Sequence, residues 1–346
     1  MNQARRLPEL LAPALLVLAT ALLSFEVSSY LQAYFLDTLI KVSIVVALYV
    51  FVGNSGVLSF GTISFVAVGA WTAGVLTVPE SQKKITMPGL SHFLLTHEVG
   101  NVASLALAAG VGAAFALAVG LALMRLSGLA AGIATFAVLG ITYNVLTYEQ
   151  SIGPGLNAFS SVPQTTGIWQ AAVAGLICVV VAYVYQRTRF GRMLRATRED
   201  PAAAAAVGIS TYRSRLLAFT LSGALAGFAG GIYVHELPLQ VGNLYLDLTF
   251  ITLAMLVVGG SGSLLGAVVG TLALNGIYSF FSAATNTVDV FGWHLKVPSG
   301  TAEIVLGVVM AVVLIVRPSG ITGGREFSLP RRRRPVADLE KARVTT

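Results

Sequence analysis

The chain has little charge and one cysteine, and each scarcity excludes a class of protein. Only 11% of its 346 residues are charged, whereas a typical soluble domain has about 25%. Cys178 is the single cysteine, and it lies inside an apolar run. The chain can therefore form no intrachain disulfide and no redox or zinc site built from cysteine.

Motifs for catalysis are also missing. The sequence contains no Gly-x-x-x-x-Gly-Lys-Ser/Thr loop for the phosphates of ATP and no Gly-x-Ser-x-Gly nucleophile elbow. Its four histidines have no second ligand at metal-binding spacing on a shared helix face. We therefore predict that the chain is not an enzyme, that it holds no metal or cofactor, and that it hydrolyses no nucleotide itself.

Apolar residues dominate what is present. They make up 55% of the chain, the mean hydropathy is +0.80, and runs of about 20 apolar residues are long enough to cross a bilayer as helices. Ten runs meet this condition: 8–25, 35–53, 56–78, 99–124, 128–148, 168–186, 215–236, 245–260, 263–282 and 301–317. They predict an all-α fold, a polytopic transmembrane bundle over residues 1–317, followed by a basic, disordered cytoplasmic tail over 318–346.

The distribution of Lys and Arg predicts the orientation. With the N-terminus inside, every Lys and Arg falls on an inside segment except Lys41, Lys83, Lys84 and Lys296. Cytoplasmic loops carry such an excess, so both termini are predicted to be cytoplasmic. This topology explains the basic residues, so no nucleic-acid partner is predicted. Arg331–Arg334 would hold the tail against anionic lipid. The first run also resembles a signal peptide, and its cleavage stays open.

The loop over residues 187–215 differs from the others because it combines arginines with a short helix signal. Pro201 opens an alanine-rich stretch, and Gly208 stands where a helix would stop. Glu199 and Asp200 precede the stretch, where acidic groups favour the positive end of a helix. We predict a helix over 199–209 that docks against a partner, with the flanking arginines at lipid headgroups.

Five separated blocks, 53–61, 188–209, 217–233, 257–266 and 315–321, resemble one family in the family's order. It comprises the ATP-binding-cassette importer permeases for branched-chain amino acids. The chain is most similar to the longer of the two related membrane subunits, which has close relatives for urea and short amides. Two of the blocks show the residues that resemble the family. The second block contains Thr188-Arg-Phe-Gly-Arg, and the fourth contains Gly259-Gly-Ser-Gly-Ser.

The resemblance implies partners and a location. A permease of this kind lies in the bacterial cytoplasmic membrane and works with cytoplasmic ATP-binding cassette subunits, a second related permease and an extracytoplasmic solute-binding protein. It also implies that loop 187–215 carries the coupling helix for the ATPase. The residues of this site would be Arg198, Glu199, Asp200, Ala202, Ala203, Ala204 and Gly208. Ala202 stands where the family motif has Glu, and the outer segment 151–161 also departs from the family pattern.

Neutral polar residues within the apolar runs are candidates for a translocation path. Ser59, Thr62 and Ser64 share one run with several glycines, which suits either a cavity lining or close helix packing. Thr135, Asn144 and Asn275 are further candidates. Asp37 and Lys41, one helical turn apart near the outer end of the second run, are expected to pair and to extend toward the interface.

This pattern favours transport driven by a separate ATPase over an ion-coupled carrier, which would need an ionisable group near mid-membrane. The predicted function is therefore ATP-driven import of leucine, isoleucine, valine or a related small solute that a binding protein delivers. A urea or short-amide permease and a stand-alone secondary carrier are the alternatives. A membrane enzyme or scaffold is disfavoured by the missing catalytic groups.

Overall fold

The computed structural model describes residues 7–284, 288–290, 293–295, 298, 300–324 and 326. The long helices are α1 (Leu7–Leu23), α2 (Ser29–Ser55), α3 (Thr62–Thr77), α6 (Asn101–Leu123), α7 (Gly128–Tyr148), α8 (Ile168–Arg187), α11 (Thr211–Val234), α12 (Leu246–Gly259), α13 (Leu264–Ala284) and α14 (Thr301–Val316). Shorter helices are α4 (Glu80–Thr86), α5 (His92–Thr96), α9 (Arg189–Glu199) and α10 (Pro201–Ala206), with 3-10 turns at Ser24–Glu26 and Val241–Leu244. Strands β1 (Val288–Val290) and β2 (Trp293–Leu295) form a small antiparallel hairpin.

The predicted helical membrane bundle is confirmed. Among the described residues, eight helices are long and apolar enough to cross a membrane, and they coincide with eight of the ten predicted spans. The other two predicted spans are α3 and α14, with 16 residues each. The axis turns by 119° between α3 and α4, so this pair forms a bent segment at the outer end of the bundle.

The third span begins later than the predicted residue 56. Gly56 ends α2 with a φ of +71°, a value that glycine adopts at little cost, and residues 57–60 are not helical. The backbone N–H of Phe60 donates to Thr135 Oγ1 at 3.2 Å, and the Phe60 ring packs edge-on against Phe136 and Phe250. A non-helical segment of this kind is tolerated within a membrane bundle when side chains of neighbouring helices bond its backbone polar groups, as Thr135 bonds the Phe60 N–H.

The centre of the bundle is formed by α2, α3 and α11, in which most residues are buried. Helix α11 contacts α3 and α6 through glycines that bring the backbones close together. A Cβ atom on Gly69 would lie 2.1 Å from the Gly227 carbonyl oxygen, and one on Gly230 would lie 2.0 Å from that of Val66. Small residues allow this close approach in membrane bundles, so the glycine-rich 56–78 run serves tight packing.

The segments predicted to be inside meet at one end of the bundle. Arg187 pairs with Glu9, Arg198 bonds Gly53, Arg215 bonds Leu126, and the backbone of Ile321 bonds Val258. The predicted outer segments meet at the other end, where Ser91 bonds Ser151 and Phe159 bonds Leu239. The two sets of loops are therefore segregated as the charge pattern predicts, while the absolute orientation stays a prediction.

Packed structure continues past the predicted domain boundary at 317. The backbone N–H groups of Ile321 and Thr322 donate to Val258 and Gly259 at 2.8 and 3.1 Å, and Thr322 Oγ1 lies 3.0 Å from Ser263 Oγ. Residues 318–324 therefore belong to the folded bundle and pack against the turn between α12 and α13. Arg331–Arg334 and the rest of the predicted tail beyond 326 lie outside the described residues.

Candidate coupling surface and translocation path

Helix α9 lies against the inner end of the bundle. Thr188 caps it by accepting a hydrogen bond from the Gly191 N–H at 3.3 Å, and Leu194 is fully buried. A Cβ atom on Gly191 would lie 2.3 Å from the Tyr185 carbonyl oxygen, so glycine is required for α9 to fold back on α8. The arginine-rich loop therefore has a fixed position rather than a solvated one.

Arg195 fastens α9 to the core. Its Nε donates to Asn54 Oδ1 at 2.8 Å, and its Nη2 donates to Tyr49 Oη at 3.0 Å and to Gln186 Oε1 at 2.8 Å. The fork of a guanidinium suits several acceptors at once. Arg198 adds a bond from Nη1 to the Gly53 carbonyl at 2.5 Å. These two arginines thus bond to α2 and α8, and not to headgroups as predicted.

Helix α10 is a separate, capped turn of helix. Asp200 Oδ1 accepts from the N–H groups of Ala202 and Ala203 at 2.9 and 3.0 Å, which is the bonding of an N-cap. Glu199 is the last residue of α9, so the predicted continuous helix over 199–209 is instead two helices that divide at Asp200. The two predicted acidic residues therefore have different positions: Glu199 ends α9, whereas Asp200 caps α10.

Gly208 ends α10 as predicted. Its φ is +82°, and its N–H and that of Ile209 donate to the carbonyls of Ala205 and Ala204 at 3.0 Å each. This is the helix-ending arrangement for which glycine is preferred. Apart from its two chain neighbours, no heavy atom of the described residues lies within 4 Å of a Cβ atom added at Gly208, so this part of the chain leaves room for a side chain there.

The face that α10 presents is small and apolar. Ala202 and Ala203 are exposed, Ala204 is buried against the bundle, and Val207 is 75% exposed. The Asp200 cap and the Gly208 stop hold this face in one conformation at the inner end. Such a ridge can enter a groove in another protein with little loss of side-chain entropy.

Three of the predicted path residues lie together where residues 57–61 meet α7. Thr62 Oγ1 donates to Ser59 Oγ at 3.3 Å, and Thr135 Oγ1 donates to the Gly132 carbonyl at 2.8 Å while accepting from Phe60. All three are buried, and Ser59 is not on a helix. Ser64 is also buried, and its Oγ makes no hydrogen bond to a described residue.

Asn144 and Asn275 lie elsewhere and apart. Asn144 is exposed on α7 and bonds its own helix at the Gly140 carbonyl. Asn275 is fully buried and contacts α2, because its Nδ2 donates to Thr38 Oγ1 at 2.7 Å and to Asp37 Oδ2 at 3.0 Å. The structure therefore does not unite the six predicted path residues in one place.

The Asp37–Lys41 pair forms as predicted, but Lys41 does not extend to the interface. Its Nζ lies 2.7 Å from Asp37 Oδ2 and 3.0 Å from Asn275 Oδ1, and the residue is 7% exposed. Asn275 lies 11 residues from the inner start of α13, which is about 16 Å at the rise of a helix. An ion pair therefore sits near mid-membrane, where the sequence predicted only neutral groups.

Two large cavities open beside these helices. One, of about 620 Å³, is lined almost wholly by apolar side chains of α3, α6 and α7, together with the segment around α5. The other, of about 590 Å³, lies between α12 and α14, and its polar and charged lining residues are Lys41, Tyr233, Asn243, Asp247, Tyr278 and Glu303. None of the six predicted path residues lines either cavity. The second cavity reaches Lys41, which bonds Asp37 and Asn275.

These features define the class: a multi-pass membrane protein with a capped helix at its inner end and a charged cavity between its helices. Residues 30–314 match the family described as "Branched-chain amino acid transport system / permease component". The chain belongs to this family, which confirms the resemblance at the level of the family.

Curated relatives share shorter segments with the chain. It is 32% identical over 155 residues, 43% of this chain and 45% of the relative, to a probable branched-chain amino acid transport permease protein LivH of Methanocaldococcus jannaschii. It is 30% identical over 164 residues, 45% of this chain and 44% of the relative, to an autoinducer 2 import system permease protein LsrC of Enterobacter sp.. The chain thus spans less than half the length of these relatives. No solved structure matches it significantly.

Proposed function

We propose that the chain is a membrane permease subunit of an ATP-driven importer in the bacterial cytoplasmic membrane. The family match over residues 30–314 carries this proposal. The partners would be cytoplasmic ATP-binding cassette subunits, a second related permease subunit and an extracytoplasmic solute-binding protein. The permease itself would carry out no chemical step.

The ATPase would dock on α10. Its exposed alanines, the Asp200 cap and the Gly208 stop form a rigid ridge at the inner end, and Arg195 and Arg198 connect that end to α2. Arg198 would act through the bundle, since its guanidinium contacts Gly53. Among the predicted path residues, Asn275 is the one that we propose to lie beside the route, because it contacts Lys41 at the second cavity.

Branched-chain amino acids are the proposed solutes, with urea or short amides as the alternative. The two kinds of relatives differ in the solute that their names state, so the substrate needs a direct test. The chain would be co-expressed with its neighbouring subunits, purified as a complex and reconstituted with the binding protein in proteoliposomes. We expect ATP-dependent uptake of leucine that isoleucine and valine compete for. Uptake of urea or autoinducer 2 without competition by leucine would refute the amino-acid assignment.

A further inference from the structure

The C-terminal segment crosses the inner end of the bundle after α14. Residues 318–324 pack against the turn between α12 and α13, and Glu326 follows them. Glu326 Oε1 accepts a hydrogen bond at 2.8 Å from the N–H of Leu264, the first residue of α13. The N-terminus of a helix favours a carboxylate. The segment therefore fastens the inner end of α13 as well as the turn before it.

Tyr49 connects this carboxylate to α9. Its hydroxyl accepts from Arg195 Nη2 at 3.0 Å and lies 2.8 Å from Gln186 Oε1 and 3.4 Å from Glu326 Oε1. The hydroxyl has one proton, so the two acceptor oxygens share it. Among the described residues Glu326 forms no salt bridge, and Tyr49 is fully buried. The Tyr49 hydroxyl is therefore the bridge between the guanidinium of α9 and the carboxylate of the C-terminal segment.

A second contact joins the same elements one helical turn further along α2. Arg198 of α9 donates from Nη1 to the Gly53 carbonyl. A Cβ atom on Gly53 would lie 2.8 Å from the carbonyl oxygen of Ser261, which belongs to the turn between α12 and α13. Helix α9 thus reaches this turn through α2 at Tyr49 and at Gly53. Two contacts four residues apart fix both the position and the direction of the turn relative to α9.

Helices α12 and α13 pack backbone against backbone beyond this turn. A Cβ atom on Gly259 would lie 2.0 Å from the Gly266 carbonyl oxygen, and one on Gly270 would lie 2.0 Å from that of Met255. Packing this close leaves no room for one helix to shift without the other. Both helices line the cavity of about 590 Å³. A displacement of the inner end of α13 would therefore change the walls of that cavity.

We propose that Glu326 is a positioning residue for energy coupling. It would fix the inner end of α13 to α2 at Tyr49, so that a displacement of α9 moves α12 and α13 together. The inference rests on the proposed function, because α9 leads directly into α10, where the ATPase would dock. Glu326 would act through Tyr49 and Leu264 alone, and the role would be lost with its acceptor oxygen.

Two replacements of Glu326 separate its hydrogen bonds from its bulk. Glu326→Leu removes both acceptor oxygens, whereas Glu326→Gln keeps one for Leu264 and Tyr49. The complete complex is reconstituted in proteoliposomes, and leucine uptake is divided by ATP hydrolysed. We expect Glu326→Leu to lower this ratio by about fivefold or more, the factor for one lost hydrogen bond. Glu326→Gln should stay within about twofold, as should Ser319→Ala, an exposed position of the same segment.

A double-mutant cycle tests the connection through Tyr49. Tyr49→Phe removes the hydroxyl that contacts both Arg195 and Glu326. If the two residues act through this one contact, Tyr49→Phe combined with Glu326→Leu should have the same uptake per ATP as Tyr49→Phe alone. Independent effects would multiply instead. The Tm and the yield of assembled complex are measured for each variant, because a merely structural role would lower these and leave uptake per ATP unchanged.

A distance measurement tests the link without any solute. In a Cys178→Ser background, spin labels are attached at Arg192→Cys on α9 and Ser261→Cys in the turn before the ATPase subunits are added. We expect the distribution of distances between the labels to be the same with and without ATP, because the two elements move together. In Glu326→Leu the distribution should shift or broaden when ATP is bound.

The outcomes separate the two proposals. If Glu326→Leu leaves uptake per ATP and the label distances as in the wild type, or lowers only the Tm, the coupling role is refuted and the permease function stands. Losses that multiply in the double variant would refute the connection through Tyr49. If the wild-type complex carries no leucine, the proposed solute is wrong, and the label distances alone decide the coupling role. A permease that binds no ATPase would refute both proposals.

Discussion

Gly208 provides the sharpest test of where an ATPase would attach. Its φ of +82° is costly for any other residue, by about 1–2 kcal/mol. Helix α10 has only six residues, and so short a helix depends on its caps. A change of 1–2 kcal/mol lowers the population of the capped conformation by roughly 5- to 30-fold. Gly208→Ala should show this conformational loss, and Gly208→Glu should add bulk and charge at the docking face.

Gly128 is a closely matched control. It also has a positive φ, +57°, and, its chain neighbours aside, no heavy atom that the structure describes lies within 4 Å of an added Cβ atom. It begins α7 beside the inner loop at 125–127 and is not part of α10. Gly128→Glu therefore imposes a similar backbone cost and the same charge at the same end of the bundle. Co-purification of the ATPase with the tagged permease and uptake in proteoliposomes are measured for each variant.

We expect ATPase recovery and uptake to fall by about tenfold or more with Gly208→Glu, and to change by no more than about twofold with Gly128→Glu. The amount of inserted permease should not fall with Gly208→Glu, because Gly208 lies outside all spans, and it is measured for Gly128→Glu too, because Gly128 is the first residue of a span. Equal losses in both variants would attribute the effect to general strain. Normal uptake with Gly208→Glu would mean that α10 is not the docking segment.

Two other predictions concern orientation and the anchor of α9. In a Cys178→Ser background, a cysteine at Ser91 should react with an impermeant maleimide in intact cells, while one at Thr211 should not; equal labelling would overturn the predicted orientation. Arg195→Met keeps an apolar stem but removes the side chain's three hydrogen bonds, so the permease should lose about 2 kcal/mol of stability or more. A lower Tm than that of Arg192→Met, which alters an exposed arginine of α9, would support the anchor, and an equal Tm would refute it.

Local signals in the sequence were sufficient for most of the helices and for the residues that cap α10, although the predicted helix began two residues too early. Apolar runs report the length of a span directly, and Asp200, Pro201 and Gly208 act through bonds to residues within five positions. The segregation of the inner loops also followed, because each arginine can be assigned to a side without knowledge of its partner. These features depend on neighbours in sequence, so no tertiary information was needed.

The features that were missed depend on distant partners. The apolar run continues through residues 56–61, and only the contact between Phe60 and Thr135, 75 residues away, shows why the helix starts at Thr62. Lys41 has a nearby Asp37 in the sequence, but its burial follows from Asn275, 234 residues further on. Periodicity and charge counts contain no information about such pairings. The cavity, whose lining comes from five helices, could not be predicted for the same reason.

Helix α2 connects α9 at the inner end to the cavity between α12 and α14. Its 27 residues span about 40 Å, and it is the most buried of the long helices. At its inner end, Tyr49 and Asn54 bond Arg195 of α9, and Lys41 at the cavity lies eight residues from Tyr49, about 12 Å along the axis. Residues 38–55 of α2 are all buried, and a helix segment packed in this way shifts as a unit rather than bending locally. A displacement of α9 would therefore reach Lys41 through one rigid element, and Arg195→Met removes two of the hydrogen bonds between α9 and α2 that would carry it.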